Sequence, residues 1–120
     1  LRNDHPIGIQ YAGGGYTLGS PTTRAAGAGD PDFVAPQSAV IGTNRVWWVD
    51  TAGGTAGSRQ KTDLLLYARG PGAGGGGYTG QTEAEPFVEC ASCHDPHTNT
   101  STFLRIANTG SAVCLACHNK

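Results

Sequence analysis

Alternating hydrophobic and polar positions near the start of the chain predict a short β-strand. Ile7, Ile9 and Tyr11 alternate with Gly8 and Gln10, and this period of two is typical of a strand that is buried on one face. No comparable window has the three-to-four-residue period of an amphipathic helix. The pattern therefore favours extended structure from the beginning of the chain.

Two further strands are predicted in the middle of the chain. Residues 45–49 are rich in β-branched and aromatic side chains, and residues 63–68 contain the apolar run Leu64 to Ala68, both of which favour strands. The Gly-rich stretch 51–58 between them indicates a turn, so the two strands could form a hairpin with a long connection. Residues 12–44 show no periodicity and are expected to be mostly irregular, and residues 70–80 to be a glycine loop.

The last third of the chain has a different character. Residues 89–94 and 112–118 are each long enough for one or two helical turns, and Ser111 stands where it could cap the second. The predicted fold class is therefore mostly irregular with some β-strand in the first two thirds, followed by short helices at the C-terminus.

Composition indicates that this fold has a thin side-chain core. The 120 residues include 19 glycines and 7 prolines, and only 38% are hydrophobic, below the level of about 45–50% of ordinary globular domains. Charged residues make up 14%, too few for a charge-extended disordered chain. We therefore expect one loop-rich domain over residues 1–120 whose core is completed by something other than side chains.

Several function classes are excluded at this point. No apolar run approaches the roughly 18 residues of a transmembrane helix. The net charge is −1 without a basic cluster, which argues against a nucleic-acid surface. The chain begins at Leu1 and contains no Met, and we interpret it as a mature product whose targeting segment has been removed.

Two pentapeptides carry the chemistry of the chain. Both have the C-x-x-C-H pattern of covalent haem attachment. Two cysteines three residues apart on a helical turn can reach the two vinyl groups of a porphyrin, and the adjacent histidine is placed to bind the iron. The two motifs are Cys90-Ala91-Ser92-Cys93-His94 and Cys114-Leu115-Ala116-Cys117-His118.

Two other uses of four cysteines compete with haem. The 20 residues between Cys93 and Cys114 fit the spacing of a four-cysteine zinc ribbon. A pair of disulfides is the second alternative, in an oxidising compartment. Neither requires a histidine directly after each second cysteine, so two covalent haem c groups are the favoured interpretation.

The remaining histidines match the number of open axial positions. Two irons need two ligands beyond His94 and His118, and the chain supplies only His5 and His97 and no Met. His94 and His97 span at most roughly 11 Å, whereas ligands on opposite faces of one iron need roughly 12 Å between Cα atoms. We therefore predict His97 as distal ligand of the second haem and His5 as that of the first, from the same chain or a neighbour. The alternative is that both are surface histidines.

These motifs resemble those of multihaem c-type cytochromes with doubled C-x-x-C-H motifs. The resemblance lies in residues 3–8, which read Asn-Asp-His-Pro-Ile-Gly, and in residues 86–120; residues 12–84 are not covered. It implies that the histidine of the N-terminal hexapeptide is an axial ligand. Relatives of this kind carry electrons in the periplasm or at the cell surface, and some polymerise into extracellular filaments.

The combined interpretation is a secreted dihaem cytochrome that transfers electrons and is not an enzyme. Residues 1–84 form a Gly-rich irregular and β part, and residues 85–120 attach the haems. Expected partners are other redox proteins or copies of the chain itself, as a homopolymer that conducts electrons outside the cell. The alternatives are a periplasmic electron carrier, a dihaem redox enzyme, and a zinc- or disulfide-stapled binding module.

Overall fold

A five-stranded antiparallel sheet forms the body of the protein in a computed structural model that describes residues 7–51, 55 and 57–119. The strand order across the sheet is β1-β5-β4-β3-β2. Short helices follow the sheet, so the predicted fold class is confirmed. The strands are β1 (Ile9–Gln10), β2 (Gln37–Ile41), β3 (Asn44–Val49), β4 (Leu64–Arg69) and β5 (Glu85–Val88), and the α-helices are α1 (Gly72–Gly75), α2 (Cys90–Cys93) and α3 (Ala112–Cys117).

The central strands β3 and β4 confirm the two strands predicted in the middle of the chain. They pair antiparallel, with Trp47 opposite Leu66 and Val49 opposite Leu64. Two strands were not predicted. β2 lies within the stretch expected to be irregular, and it is held by its pairing with β3 rather than by a strong pattern of its own. β5 was interpreted only as the approach to the first cysteine motif.

The N-terminal strand is shorter than its alternating pattern predicted. Only Ile9 and Gln10 pair with β5, whereas Ile7 and Ile9 are exposed and Tyr11 is fully buried in a 3-10 turn. The chain leaves the extended conformation at Tyr11, where this turn begins, and Ala12 within the turn has φ 54°. A left-handed residue cannot continue a strand, so the residues beyond Gln10 that follow the alternating pattern are not part of the sheet.

The hydrophobic core lies on one face of the sheet. Trp47, Val49, Leu64 and Leu66 share this face with two buried tyrosines, and Cys117 of α3 packs against them. Trp48 is also buried, and because successive strand residues point to opposite faces, both faces of β3 are covered. The core is therefore in direct contact with Cys117, the last cysteine of the second cysteine motif.

The predicted cap of α3 was wrong. Ser111 precedes the helix but has φ 64° and forms no capping hydrogen bond. Instead the backbone N–H of Val113 donates to Oδ1 of Asn108 at 3.2 Å. A left-handed residue is outside the extended conformation that an N-cap normally adopts, so the cap is supplied by a residue further back.

A buried carboxylate closes the long connection between β3 and β4. The side chain of Asp63 is fully buried, and it accepts hydrogen bonds from the backbone N–H of Thr51 at 3.1 Å, from its hydroxyl at 3.3 Å, and from the backbone N–H of Gln60 at 2.5 Å. Replacing such an acceptor leaves buried donors without partners. The carboxylate therefore largely determines the conformation of this loop.

We predict that Asp63→Asn lowers the free energy of unfolding by about 2 kcal/mol, because the amide NH2 group then faces a backbone donor. Thermal or denaturant unfolding measures the change. The control is Asp30→Asn, the same substitution at an exposed carboxylate that accepts one backbone N–H. An equal effect of the two substitutions would contradict the role assigned to Asp63.

Candidate haem-attachment site

The two cysteine motifs adopt the same backbone conformation. In each, a short helix spans the two cysteines and the histidine ends it in an extended conformation, with φ −107° and ψ 139° at His94 and φ −108° and ψ 131° at His118. The histidine N–H donates to the carbonyl of the first cysteine, Cys90 or Cys114, at 3.1 Å in both motifs. Each motif therefore presents two thiols about one helical turn apart, followed by an imidazole.

A pair of backbone hydrogen bonds clamps the first histidine on both sides. The N–H of Arg105 donates to the carbonyl of Cys93 at 2.8 Å, and the N–H of Asp95 donates to the carbonyl of Phe103 at 2.8 Å. His94 lies between the two bonds, in an antiparallel bridge to the residue between Phe103 and Arg105. The connector between the motifs thus returns to hold the first motif in place.

The second histidine is clamped in the same way by a different part of the chain. The N–H of Val34 donates to the carbonyl of Cys117 at 2.9 Å, and the N–H of Asn119 donates to the carbonyl of Asp32 at 2.8 Å. His118 lies between these bonds in an antiparallel bridge to Phe33. The segment 32–34 therefore does for the second motif what residues 103–105 do for the first.

The imidazole of His94 is oriented by a backbone acceptor. Its Nδ1 lies 2.7 Å from the carbonyl oxygen of Thr102, and because a carbonyl only accepts, Nδ1 donates. This bond assigns the lone pair to Nε2, the nitrogen that a proximal histidine presents to a metal. Thr102 and Phe103 both have φ 57°, a conformation that costs about 1–2 kcal/mol per residue outside glycine. The carbonyl that orients the His94 imidazole therefore belongs to a residue of the strained turn.

Each motif contains one exposed and one half-buried thiol. The thiols of one motif affect the pKa values of those in the other. Cys90 and Cys114 are exposed, Cys93 and Cys117 are half-buried, and all four are free. Burial, followed by the charges of neighbouring thiols, raises the pKa of Cys117 to about 12. Burial also raises the pKa of Cys93, and the charge of Cys114 raises it further. The half-buried thiols therefore remain protonated at neutral pH.

Arg105 is a functional residue that the sequence analysis missed. Its side chain is nearly buried and pairs with Asp95 at 3.4 Å. Its Nε donates to the carbonyl of Ala91 at 3.1 Å and its Nη1 to that of Lys61 at 3.2 Å. Arg105 thereby ties α2 to the β3–β4 loop. No periodic or motif signal in the sequence marks it.

The carboxylate of Asp95 completes this arrangement. The backbone N–H of His97 donates to its Oδ1 at 2.9 Å, and this bond, with the charge of Arg105, lowers the pKa of Asp95. Asp95 is therefore ionised near neutral pH and holds the turn that follows the first motif.

The sequence analysis also missed Phe33, which lies opposite His118, because Phe33 is far from the cysteines in sequence.

The described part of the structure includes one of the two predicted distal ligands, His97. His97 is exposed, and its carbonyl accepts a hydrogen bond from Nζ of Lys61 at 2.8 Å. His5 lies outside the described residues. The assignment of His97 to the second haem and of His5 to the first stays a prediction.

Each C-x-x-C-H unit has one exposed thiol, one half-buried thiol and a terminal imidazole, and these groups fit a covalently attached haem. Among residues 7–51, 55 and 57–119, no group of three or more His, Cys, Asp or Glu side chains is arranged to hold a metal ion. In the same residues no helix is both long and apolar enough to cross a membrane.

Comparison with known proteins agrees with this geometry. Residues 85–120 match the family model described as the doubled CXXCH motif. Comparison with curated proteins and with solved structures returned no match. The matched residues contain both cysteine motifs and the connector that clamps the first, so this C-terminal segment carries the doubled CXXCH motif.

Proposed function

We propose that this protein is an electron carrier with two covalently bound haem c groups. Cys90 and Cys93 attach the first haem, and Cys114 and Cys117 attach the second. The observation that carries this proposal is the identical backbone conformation of the two motifs inside the family-matched segment. Each bound haem supplies an iron that gains and loses one electron.

The chain's own residues hold the ligands in a fixed geometry. His94 and His118 are the proposed proximal ligands, and each lies between two backbone hydrogen bonds of 2.8–2.9 Å. A ligand that does not rearrange when the iron changes charge is well suited to electron transfer. The half-buried thiol in each motif supports a haem with one edge against the protein rather than in solvent.

The described N-terminal segment supports ligation of the first haem by His5 of the same chain. The N–H of Gly8 donates to the carbonyl of Val88 at 2.7 Å, and Val88 lies two residues before Cys90. His5 lies three residues before Gly8, a reach of up to about 10 Å. The distal ligand therefore need not come from a neighbouring subunit.

The position of His97 supports its role as distal ligand of the second haem. It is too close in sequence to His94 to bind the opposite face of the same iron. An ionised Cys114 raises the pKa of Cys93, which supports a short distance between the two motifs. Four histidines then fill four axial positions, which leaves none open for catalysis and favours a carrier over a dihaem enzyme.

We further propose that the protein acts outside the cytoplasm, as a subunit of an extracellular filament whose haems form a continuous path. Both edges of the sheet support association with further copies. Ile9 on β1 and Val40 and Ile41 on β2 are exposed, and neither edge strand carries a charged residue. Charges and prolines normally protect such edges from pairing. A periplasmic monomer is the alternative.

We predict that the intact mass of the native protein exceeds that of the polypeptide by two haems. The double variant Cys114→Ala, Cys117→Ala should retain only one haem, because the second has lost both thioether bonds. Leu115→Ala changes an exposed residue between the same cysteines and should keep both. A native mass without haem would refute the cytochrome.

We predict that His97→Ala converts one haem of the two to a high-spin or substituted state, because one iron loses its distal ligand. Absorption and electron paramagnetic resonance spectra of the ferric protein measure this change. Asn99→Ala, an exposed change on the same turn, should leave both haems six-coordinate. Two unchanged bis-histidine haems in His97→Ala would make His97 a surface residue.

We predict that electron microscopy of native material shows filaments. Uncharged, exposed sheet edges can join copies head to tail, and such contacts give an open filament where the rotation between copies does not close a ring. Light scattering from the same preparation should exceed the mass of one chain. A monodisperse monomer with no filaments on the grid would leave the periplasmic carrier as the function.

A further inference from the structure

The two haem-attachment motifs are clamped by equivalent backbone bonds, but the residue opposite each histidine differs. In the first motif it is Leu104, which lies inside the family-matched segment. In the second it is Phe33, which lies far outside it. The aromatic ring of Phe33 contacts the imidazole of His118, with 4.2 Å between ring centroids and 50° between ring planes. The body of the protein therefore touches the second ligand directly.

The core fixes the position of this phenylalanine. Phe33 packs edge-on against Tyr11, with ring centroids 5.3 Å apart and planes at 83°. Tyr11 is fully buried, and its hydroxyl donates to the carbonyl of Val34 at 2.8 Å. Val34 in turn donates its N–H to Cys117. A side chain whose rotamer is locked by such packing can hold a ligand in one orientation.

We propose that Phe33 is a positioning residue that sets the plane of the His118 imidazole on the second haem. This inference rests on the proposed function. It assigns to the segment 32–34 a role in the haem site, whereas the first motif is oriented from within its own connector, by the carbonyl of Thr102. The two haems then differ in what controls their axial ligand, which is one of the levers that tune a haem potential.

The proposal is tested in the mature dihaem protein by electron paramagnetic resonance of the ferric state. The largest g value of a low-spin bis-histidine haem depends on the angle between its two imidazole planes. Phe33→Leu reproduces the aliphatic residue that faces His94 and removes the ring contact. We expect one of the two low-spin signals to shift, together with the midpoint potential of the same haem, while the other signal stays unchanged.

Two comparisons identify the haem and control for the substitution. The signal that shifts should be the one that is absent from the variant Cys114→Ala, Cys117→Ala. Phe103→Leu makes the same change at an exposed phenylalanine of the connector and should leave the second-haem signal in place. A purely structural role of Phe33 would lower the unfolding temperature without moving the g values of the folded protein.

Tyr11→Phe provides a second test in case Phe33→Leu does not attach both haems. This variant retains the packing ring but removes the hydroxyl, which bonds the carbonyl of Val34 and the thiol of Cys117, so we expect a smaller shift of the same signal. If both variants carry two haems and leave both signals and both potentials unchanged, Phe33 does not position the ligand. The loss of covalent haem from the unaltered protein would instead refute the proposed function.

Discussion

The arrangement of this protein depends on short antiparallel backbone pairing at the end of each C-x-x-C helix. A helix of one or two turns has little stability of its own, because most of its backbone groups lack a partner within the helix. The pairing of 93–95 with 103–105, and of 117–119 with 32–34, satisfies the groups at the helix end. It also fixes the direction in which each histidine leaves the helix. Without this pairing, both motifs would be flexible segments with correct spacing and no defined ligand geometry.

The sheet supports both of these pairings. Its buried face carries Trp47, Val49 and Leu64, and α3 packs there through Ala116 and Cys117. The segment that clamps His118 is held to the same core through Tyr11. The first motif follows β5 after one residue and its helix α2 lies against β4; Arg105 adds contacts with the β3–β4 loop and with Asp95. Both sites therefore rest on the sheet, and the first also has a nearly buried charged network.

This difference has consequences for how each site tolerates change. Apolar packing around Cys117 responds to changes in volume, because closely packed interiors relax only partly. The network around Arg105 responds to the loss of a partner, since a buried guanidinium without its carboxylate is strongly destabilising. The strained left-handed turn at Thr102 and Phe103 is exposed, and its hydrogen bonds to His94 and Asp95 hold the unfavourable conformation in place.

The sequence by itself determined the chemistry of the protein and the strongest of its elements. The spacing of Cys90, Cys93 and His94 and its repetition identify the attached group, because that chemistry depends on neighbours in the chain. β3 and β4 were equally evident, because their β-branched and aromatic residues favour a strand locally. Only the tertiary structure decided which residues face each histidine. Phe33 lies 85 positions before His118, and no local pattern links the two. Likewise β2 and the cap by Asn108 exist because of their partners, since pairing and packing override weak local preference.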